Sequence, residues 1–259
     1  MHTARLAVGI LLGWALVGCS DDATSSSPPP APTSAADAGA PPASAGVYIA
    51  VVRGKLAGAT LAEAQAMHDE IARGGEAAAK AAGDFAHDAF LGTKMLDSIE
   101  NEFLGIDQWN DGAKMQGFYA DPAFQQAFGK LFAEPPAVEY FVHAPTWTGW
   151  GDMRSGKPHD PHFVHLAIGT LANTDVTKNE AAHNAVAAGG KDPSLGAGNL
   201  AHVVFLGLAD ERRFVAVDIW SKGDAIEGFY SNPQFRQVFL PLFESVKEPV
   251  YQSTKWHSW

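Results

Sequence analysis

The sequence predicts an α+β fold made of two tandem βαββαβ units, residues 47–150 and 162–259. The first observation behind this is an internal repeat: residues 47–92 match 162–207 at 15 of 46 positions, and residues 103–132 match 214–243 at 13 of 30. Chance would give about one match in sixteen. The second observation is that each copy alternates apolar, β-branched runs with alanine-rich or aromatic segments of helical spacing. The chain is therefore a duplication, and its two halves should share one architecture.

Each half opens with an apolar run closed by glycine, "VYIAVVRG" or "HFVHLAIG", which is typical of a buried first strand. A helix follows, with Thr60 or Asp175 as its N-cap, and we expect it to stop at the paired glycines 74–75 or 189–190. "DFAHDAFLG" and "NLAHVVFLG" predict second strands. "EFLGIDQW" and "RFVAVDIW" predict third strands that return by a hairpin. The first half has four extra residues between these strands, which we place in the loop.

A second helical region follows in each half, where Asp121 or Asn232 is the expected cap and a proline occupies the first turn. "VEYFVHA" and "PVYQSTK" predict the fourth strands, and each half ends with a Trp-x-x-Trp sequence. The order strand, helix, strand, strand, helix, strand is that of a ferredoxin-like split βαβ unit. We expect most of the repeated aromatic residues to pack in the core.

The segment from Gly198 to Phe229 carries a family resemblance. Its Gly-Asn pair, His202, the turn at Asp210 and the Asp218-x-Trp220 sequence resemble the antibiotic-biosynthesis-monooxygenase-like (ABM) members of the dimeric α/β barrel superfamily. The resemblance implies that two four-stranded sheets close into one barrel. In a tandem chain both sheets belong to one molecule, a monomer that acts as its own dimer. An eight-stranded barrel is either filled by side chains or holds one small ligand.

The first nineteen residues resemble a bacterial lipoprotein signal. A short apolar stretch ends in Leu16-Val17-Gly18-Cys19, which matches the pattern in which the cysteine is acylated. An ordinary secretory peptide is the alternative. Residues 20–46 contain six Pro, six Ser and eight Ala, and should form a disordered tether. Residues 151–161 are the expected linker between the halves.

These features predict a protein of the bacterial cell envelope, anchored in the lipid bilayer through acylated Cys19. The resemblance to lipoproteins implies the outer membrane in a two-membrane cell, because Ser20 rather than Asp follows the cysteine. Without residues 1–18 the chain has 17 basic and 29 acidic residues. So acidic a protein, without a basic stripe, should not bind nucleic acid.

Two His/Asp pairs are the candidate catalytic groups. His87 and Asp107 lie on opposite strands of one predicted hairpin, and His202 and Asp218 repeat the arrangement. A carboxylate beside a histidine orients it and raises its basicity, as a general base requires. A buried hydrogen-bonded pair that fixes strand register is the structural alternative. The candidate ligand-binding residues are aromatic: Trp109, Trp220, Tyr119 and Tyr230.

Other histidines and tryptophans carry weaker signals. His68 and His183 stand before the paired glycines, where capping or packing is favoured over catalysis. His159, His162 and His165 are spaced by three, which places His162 and His165 on opposite faces of a strand and disfavours a metal site. The Trp-x-x-Trp sequences could anchor a strand or stack on a ligand.

Two functions remain open from the sequence. The first is a small-ligand-binding or scaffold domain tethered to the envelope. The second, implied by the family resemblance, is a monooxygenase-like enzyme without a cofactor that acts on an aromatic or phenolic molecule, with His87 or His202 as base. Haem-degrading members of the superfamily use an Asn, Trp and His set that does not map onto this chain.

Overall fold

The computed structural model describes residues 46–154 and 162–259. Residues 1–45, with Cys19 and most of the predicted tether, lie outside this range, as does most of the predicted linker. Among the described residues no helix combines the length and the apolar character needed to cross a membrane.

The first half contains β1 (Tyr48–Lys55), α1 (Leu61–Ala82), β2 (Asp84–Leu96), β3 (Glu102–Trp109), α2 (Gly112–Ala120), α3 (Pro122–Phe128) and β4 (Ala137–His143). The second half contains β5 (Phe163–Leu171), α4 (Val176–Ala197), β6 (Asn199–Gly207), β7 (Arg213–Trp220), α5 (Gly223–Tyr230), α6 (Pro233–Phe239), β8 (Phe243–Lys247) and β9 (Pro249–Ser253). The same sequence of elements therefore occurs twice.

Eight antiparallel strands close into a barrel in the order β7-β6-β4-β1-β3-β2-β9-β5, and β5 pairs again with β7. Two seams join the halves: β4 pairs with β6 through Phe141–Gly207, and β2 pairs with β9 through Phe90–Ser253. β8 and β9 lie end to end along β5, so they form one interrupted fourth strand. The predicted fourth strand of the second half thus begins earlier than expected.

The barrel interior is filled with apolar side chains from both halves. The largest are Phe90, Phe141, Phe205 and Tyr251, all at most 5 % exposed. The opposite, outer face of the sheet packs against the helices in separate clusters. Of the two barrel types left open by the sequence, this is the filled one, because these side chains belong to one buried apolar cluster with residues of both halves.

The first helices are longer than predicted. α1 and α4 continue through the paired glycines and end at Gly83 and Gly198, whose φ angles of +113° and +107° are the left-handed conformation of a helix stop. The glycines at 75 and 190 instead lie opposite aromatic rings, with Gly190 closest to Phe229 and Phe235. A glycine pair can thus serve packing within a helix as well as termination.

Two further predictions change. The second helical region is two helices in each half, because Asp121 ends α2 and accepts a hydrogen bond from Phe124 N at the start of α3. The four extra residues of the first half lengthen β2 to Leu96 rather than its loop, and Leu96 pairs with Pro249 of β9. The insertion therefore extends a seam between the halves.

Candidate functional site

The His/Asp pairs lie outside the barrel, between the outer face of the sheet and the helices. His87 is directly opposite Asp107 in the β2–β3 ladder, and His202 is opposite Asp218 in the β6–β7 ladder. Side chains alternate along a strand, so these residues face the helices while Leu104, Ile106 and their counterparts face the core. The structure brings each predicted pair together, and places each in its own cleft.

Each Asp is hydrogen-bonded on both oxygens. In the first cleft His87 Nδ1 contacts Asp107 Oδ1, and the hydroxyl of Tyr119 donates to Asp107 Oδ2. In the second, His202 Nδ1 lies 2.6 Å from Asp218 Oδ1, and Tyr230 donates to Asp218 Oδ2 at 2.8 Å. Burial, reinforced by the neighbouring carboxylate, raises the pKa of both tyrosines well above the ordinary range, so they remain donors.

A second histidine from the long helix completes each cleft. His68 Nε2 of α1 is 3.1 Å from His87 Nε2, and His183 Nε2 of α4 is 3.2 Å from His202 Nε2. The rings are close to parallel, at 15° and 11°. We call each pair a dyad. Of the two structural roles expected for His68 and His183, helix capping is ruled out, because both lie well inside their helices, whereas packing is found, against Trp256 and Trp147.

The hydrogen-bond partners of each dyad determine its protons. His68 Nδ1 faces the Asp69 carboxylate at 3.1 Å, and His183 Nδ1 faces Asn184 Oδ1 at 3.2 Å. That amide oxygen also accepts from Thr148 N, so it is an acceptor. Every Nδ1 therefore donates, and the two facing Nε2 atoms must share a proton, since two lone pairs would repel. Each dyad then carries three protons on four nitrogens and one positive charge.

The electrostatic environment agrees with one shared proton. Burial and the charge of the partner imidazole lower the pKa of His68 and of His183 to about 4. Burial opposes charge on His87 as well, but the Asp107 carboxylate outweighs it and raises the pKa of His87. The pKa of Asp218 is lowered, because His202 and the hydrogen bonds from His165 and His202 outweigh burial. A second positive charge on a dyad is thus disfavoured unless a bound anion balances it.

The Trp-x-x-Trp segments are exchanged between the halves. Trp150, at the end of the first half, stacks on His202 at 4.8 Å, and Trp259, at the end of the second, stacks on His87 at 4.5 Å. Trp147 and Trp256 contact His183 and His68. The tryptophans therefore pack on the dyads, in agreement with the packing role, and stacking on a ligand stays a prediction. Each cleft is completed by residues of the other half.

Each dyad borders a small cavity, of about 50 Å³ in the first cleft and about 40 Å³ in the second. At roughly 10 to 15 Å³ per water, each has room for about three or four waters. Tyr119 and Tyr230 line these cavities, together with the His/Asp pairs. Trp109 and Trp220 are predicted ligand contacts, but they are at most 1 % exposed and pack beside the cavities, on Phe118 and Phe229.

A larger groove lies outside each cavity, between the long helix and the short ones. Its volume is about 900 Å³ in the first half and about 480 Å³ in the second. Phe118 and Phe124 line both the groove and the cavity of the first half, and Phe229 and Phe235 do so in the second. These rings therefore separate each cavity from its groove.

His162 and His165 fall on opposite sides of the sheet, as the strand period requires. His162 packs edge-on against Phe90, whereas His165 is fully buried on the helix side, 3.3 Å from Asp218 Oδ2. His159 lies outside the described residues. Within the described residues, no three His, Cys, Asp or Glu side chains are grouped as a metal site would require.

The dyad could have been inferred from the sequence only through the repeat. His68 and His183 are identical at the same offset as His87 and His202, which marks all four as part of the shared design. Their meeting depends on how the long helix crosses the sheet, which no local pattern specifies. His165 has no counterpart in the first half, where the position is Ala50, and gave no repeat signal.

No family model matches the chain, and no curated protein matches it. Solved structures do. A protein described as a "putative monooxygenase" from Fusobacterium nucleatum superposes with a TM-score of 0.59 at 8 % identity, over 83 % of this chain and 94 % of the other. An anthrone oxidase-like protein gives 0.55 at 16 % identity, over 83 % and 93 %. A mutant chlorite dismutase from Candidatus Nitrospira defluvii gives 0.56 at 11 %, over 80 % and 91 %.

Identities this low show the fold alone. The chain therefore has the α+β barrel fold of these monooxygenase-like and chlorite dismutase structures.

Proposed function

We propose that the protein is a monooxygenase-like enzyme that ionises a small aromatic or phenolic molecule at the His–His dyads. The observation that carries this proposal is the Nε2–Nε2 contact of 3.1 and 3.2 Å, present in both clefts and supported by an Asp and a Tyr. A shared proton in an apolar cleft is held ready for transfer. A His/Asp pair that only stabilised the fold would need neither a second histidine in contact with it nor a cavity beside it.

The dyad geometry assigns the proton-transfer roles. A phenolic oxygen that displaces the direct contact would accept the Nε2 proton of His87 or His202. Its own hydrogen would then face the lone pair on Nε2 of His68 or His183. The helix histidine is thus the proposed base. Its proton uptake becomes favourable because the phenolate forms between the two rings and balances the added charge, while the strand histidine, oriented by its Asp, stabilises the oxyanion. The sequence instead predicted His87 or His202 as the base, so the proposed base is now the helix histidine rather than the strand histidine.

Molecular oxygen is the co-substrate in this proposal. The ionised substrate supplies the electrons: an activated CH₂ group reacts with O₂ to give a carbonyl and one water. The protein's contribution is to hold the anion and to exclude bulk water.

The size of the cavities favours a second candidate, the binding of a small ligand without turnover. A cavity of about 50 Å³ does not admit a polycyclic phenol unless Phe118 and Phe124 move. In this candidate the filled barrel is the scaffold and the clefts are the binding sites.

Oxygen consumption in the presence of anthrone separates the two candidates. We expect the wild-type protein to consume O₂, and the double variant His68→Gln/His183→Gln to lose about 10²- to 10⁴-fold in rate, because the base is gone. The exposed Glu227→Gln is the matched control. An active double variant would exclude the dyad as the base. An inactive wild type that binds phenols through the dyads would favour binding without turnover.

We also propose that the protein works in the cell envelope, tethered through acylated Cys19. The supporting observation is the Leu16-Val17-Gly18-Cys19 sequence followed by a Pro/Ser/Ala-rich segment. Acyl chains contribute about 0.8 kcal/mol per buried methylene, enough for durable anchoring with two or more chains. We expect labelled palmitate to be incorporated into the wild type in a bacterial host and not into Cys19→Ala, which should leave the membrane fraction. Equal labelling of both would contradict the anchor.

A further inference from the structure

The two clefts share the dyad but differ in charge at three aligned positions. Asp69, Asp84 and Glu76 surround the first dyad, and the repeat places Asn184, Asn199 and Lys191 at the same positions of the second. The Asp69/Asn184 and Glu76/Lys191 differences make the second cleft more positive, and the Asp84/Asn199 difference removes a titratable carboxyl from it. The first half holds two compensating cations, Arg73 and Lys80, which are paired with Asp69 and Glu76 and are largely exposed.

The difference that acts most directly on the dyad is at the residue after the helix histidine, because its side chain contacts the histidine Nδ1. Asp69 accepts from His68 Nδ1 and, at 2.7 Å, from His257 N of the exchanged C-terminal segment. Asn184 makes the equivalent contacts with His183 Nδ1 and, at 2.6 Å, with Thr148 N. The geometry is thus preserved while a carboxylate becomes an amide. The first dyad proton is balanced by two carboxylates, and the second by Asp218 alone.

The other two differences lie at the cavity and at its rim. Asp84 is 4 % exposed and lines the first cavity, where burial and Asp107 raise its pKa to about 8. Asn199 instead accepts from the indole N–H of Trp150 at 2.7 Å. Lys191 lies over the ring of Trp150, at 5.9 Å from its centroid, so its charge faces the second cleft. In the first half Lys80 lies over the ring of Trp259 in the same way, at 5.7 Å from its centroid, but Glu76 is paired with Lys80 at 2.6 Å and offsets its charge.

We propose that the second cleft is a site for a small monoanion, a carboxylate or phenolate whose oxygen accepts the shared proton of the His183–His202 dyad. The first cleft disfavours the same anion, because Asp69 already balances its dyad charge and Glu76 offsets the charge of Lys80. The duplicated clefts therefore differ in the ionisation state of the ligand they take. This inference rests on the dyad of the proposed function and assigns ligand classes to its two copies.

Formate is the probe, since it is the smallest carboxylate and suits cavities of this size. Titrations of wild-type protein with sodium formate, at constant ionic strength set with sodium chloride, are followed by NMR of the histidine ring nitrogens. We expect His183 and His202 to shift at formate concentrations about tenfold lower than His68 and His87 do. That is the scale of effect of one unit charge several ångströms away in a partly buried site.

Reciprocal substitutions provide the decisive comparison. Asp69→Asn should bring the first cleft close to the second in formate affinity, and Asn184→Asp should weaken the second by about tenfold. Lys191→Glu, at an exposed position, should weaken the second cleft in the same direction even if Asn184→Asp unfolds the protein. Asp224→Asn, exposed and remote in sequence from both dyads, is the control.

Equal formate affinity of the two clefts in the wild type would overturn the inference, as would an absence of ring shifts at the second dyad. Unchanged formate affinities of both clefts after Asp69→Asn and Asn184→Asp would overturn the inference as well. These results are distinct from failure of the proposed function, which is measured by oxygen consumption.

Discussion

Replacing Asp218 by alanine is expected to lower the free energy of unfolding by about 3 to 5 kcal/mol, the cost of removing one partner from a buried charged network. Asp218 is 2 % exposed and receives hydrogen bonds from Tyr230, His202 and His165. All three would lose an acceptor in a region that water does not reach, and the second dyad would lose its counter-ion. Urea unfolding of the variant and the wild type measures the difference.

Asp107→Ala is the matched comparison, because Asp107 has two such partners within the described part of the chain, His87 and Tyr119. The residue of the first half that corresponds to His165 is Ala50, which has no side-chain donor. Removing Asp107 therefore leaves one hydrogen-bond donor fewer without an acceptor than removing Asp218 does. We expect Asp107→Ala to lower the free energy of unfolding by about 1 kcal/mol less than Asp218→Ala does, which is the net contribution of one hydrogen bond. The exposed Glu227→Ala should stay within about 0.5 kcal/mol of the wild type. A loss for Asp218→Ala within that surface range would contradict the three-donor network around this carboxylate.

Acidification from about pH 6.5 to pH 4 is expected to remove about 3 kcal/mol of stability through His183 alone. Burial and the charge of His202 lower the folded-state pKa of His183 to about 4, whereas in the unfolded chain its pKa has the ordinary value of 6.5. Between pH 6.5 and pH 4, His183 is protonated in the unfolded chain but not in the folded protein. Stability from this group is therefore complete above about pH 6.5 and is lost as the pH falls to 4.

The second half is the better place to measure this effect. The charged groups around His183 are His202, Asp218 and Lys191, and the lowered pKa of Asp218 keeps that carboxylate ionised throughout the window. In the first half Asp84 has a raised pKa and shifts stability in the opposite direction over the same range. Urea midpoints measured at several pH values should show a flatter profile for His183→Gln. Parallel profiles for the variant and the wild type would contradict the assignment.

Much of the fold could be predicted from the sequence because the duplication shows each element twice. A strand that is ambiguous in one copy is clear in the other, and Asp121 and Asn232 at equal positions identify a helix start. The closed barrel with its two seams followed from the family resemblance. Local glycine patterns were less informative: the paired glycines at 74–75 were expected to end a helix, but they lie inside α1.

The site was predicted only where it depends on strand register. His87 faces Asp107 because antiparallel pairing is set by a hairpin, and a hairpin can be counted along the chain. The contact between His68 and His87 depends on how α1 crosses the sheet, and the stacking of Trp259 depends on which half its strand joins. Both are long-range consequences of packing. Sequence spacing carries no information about them, so they were missed.

The crossed position of Trp256 and Trp259 makes the end of the second half important for the first cleft. The backbone of Trp259 forms two hydrogen bonds with that of His87, at 3.1 and 3.2 Å. A tag fused at this end, or removal of a few terminal residues, would therefore damage the site that is farthest away in the gene. Damage to the end of either copy would disturb the cleft of the other copy, so the loss of one copy would disable both clefts.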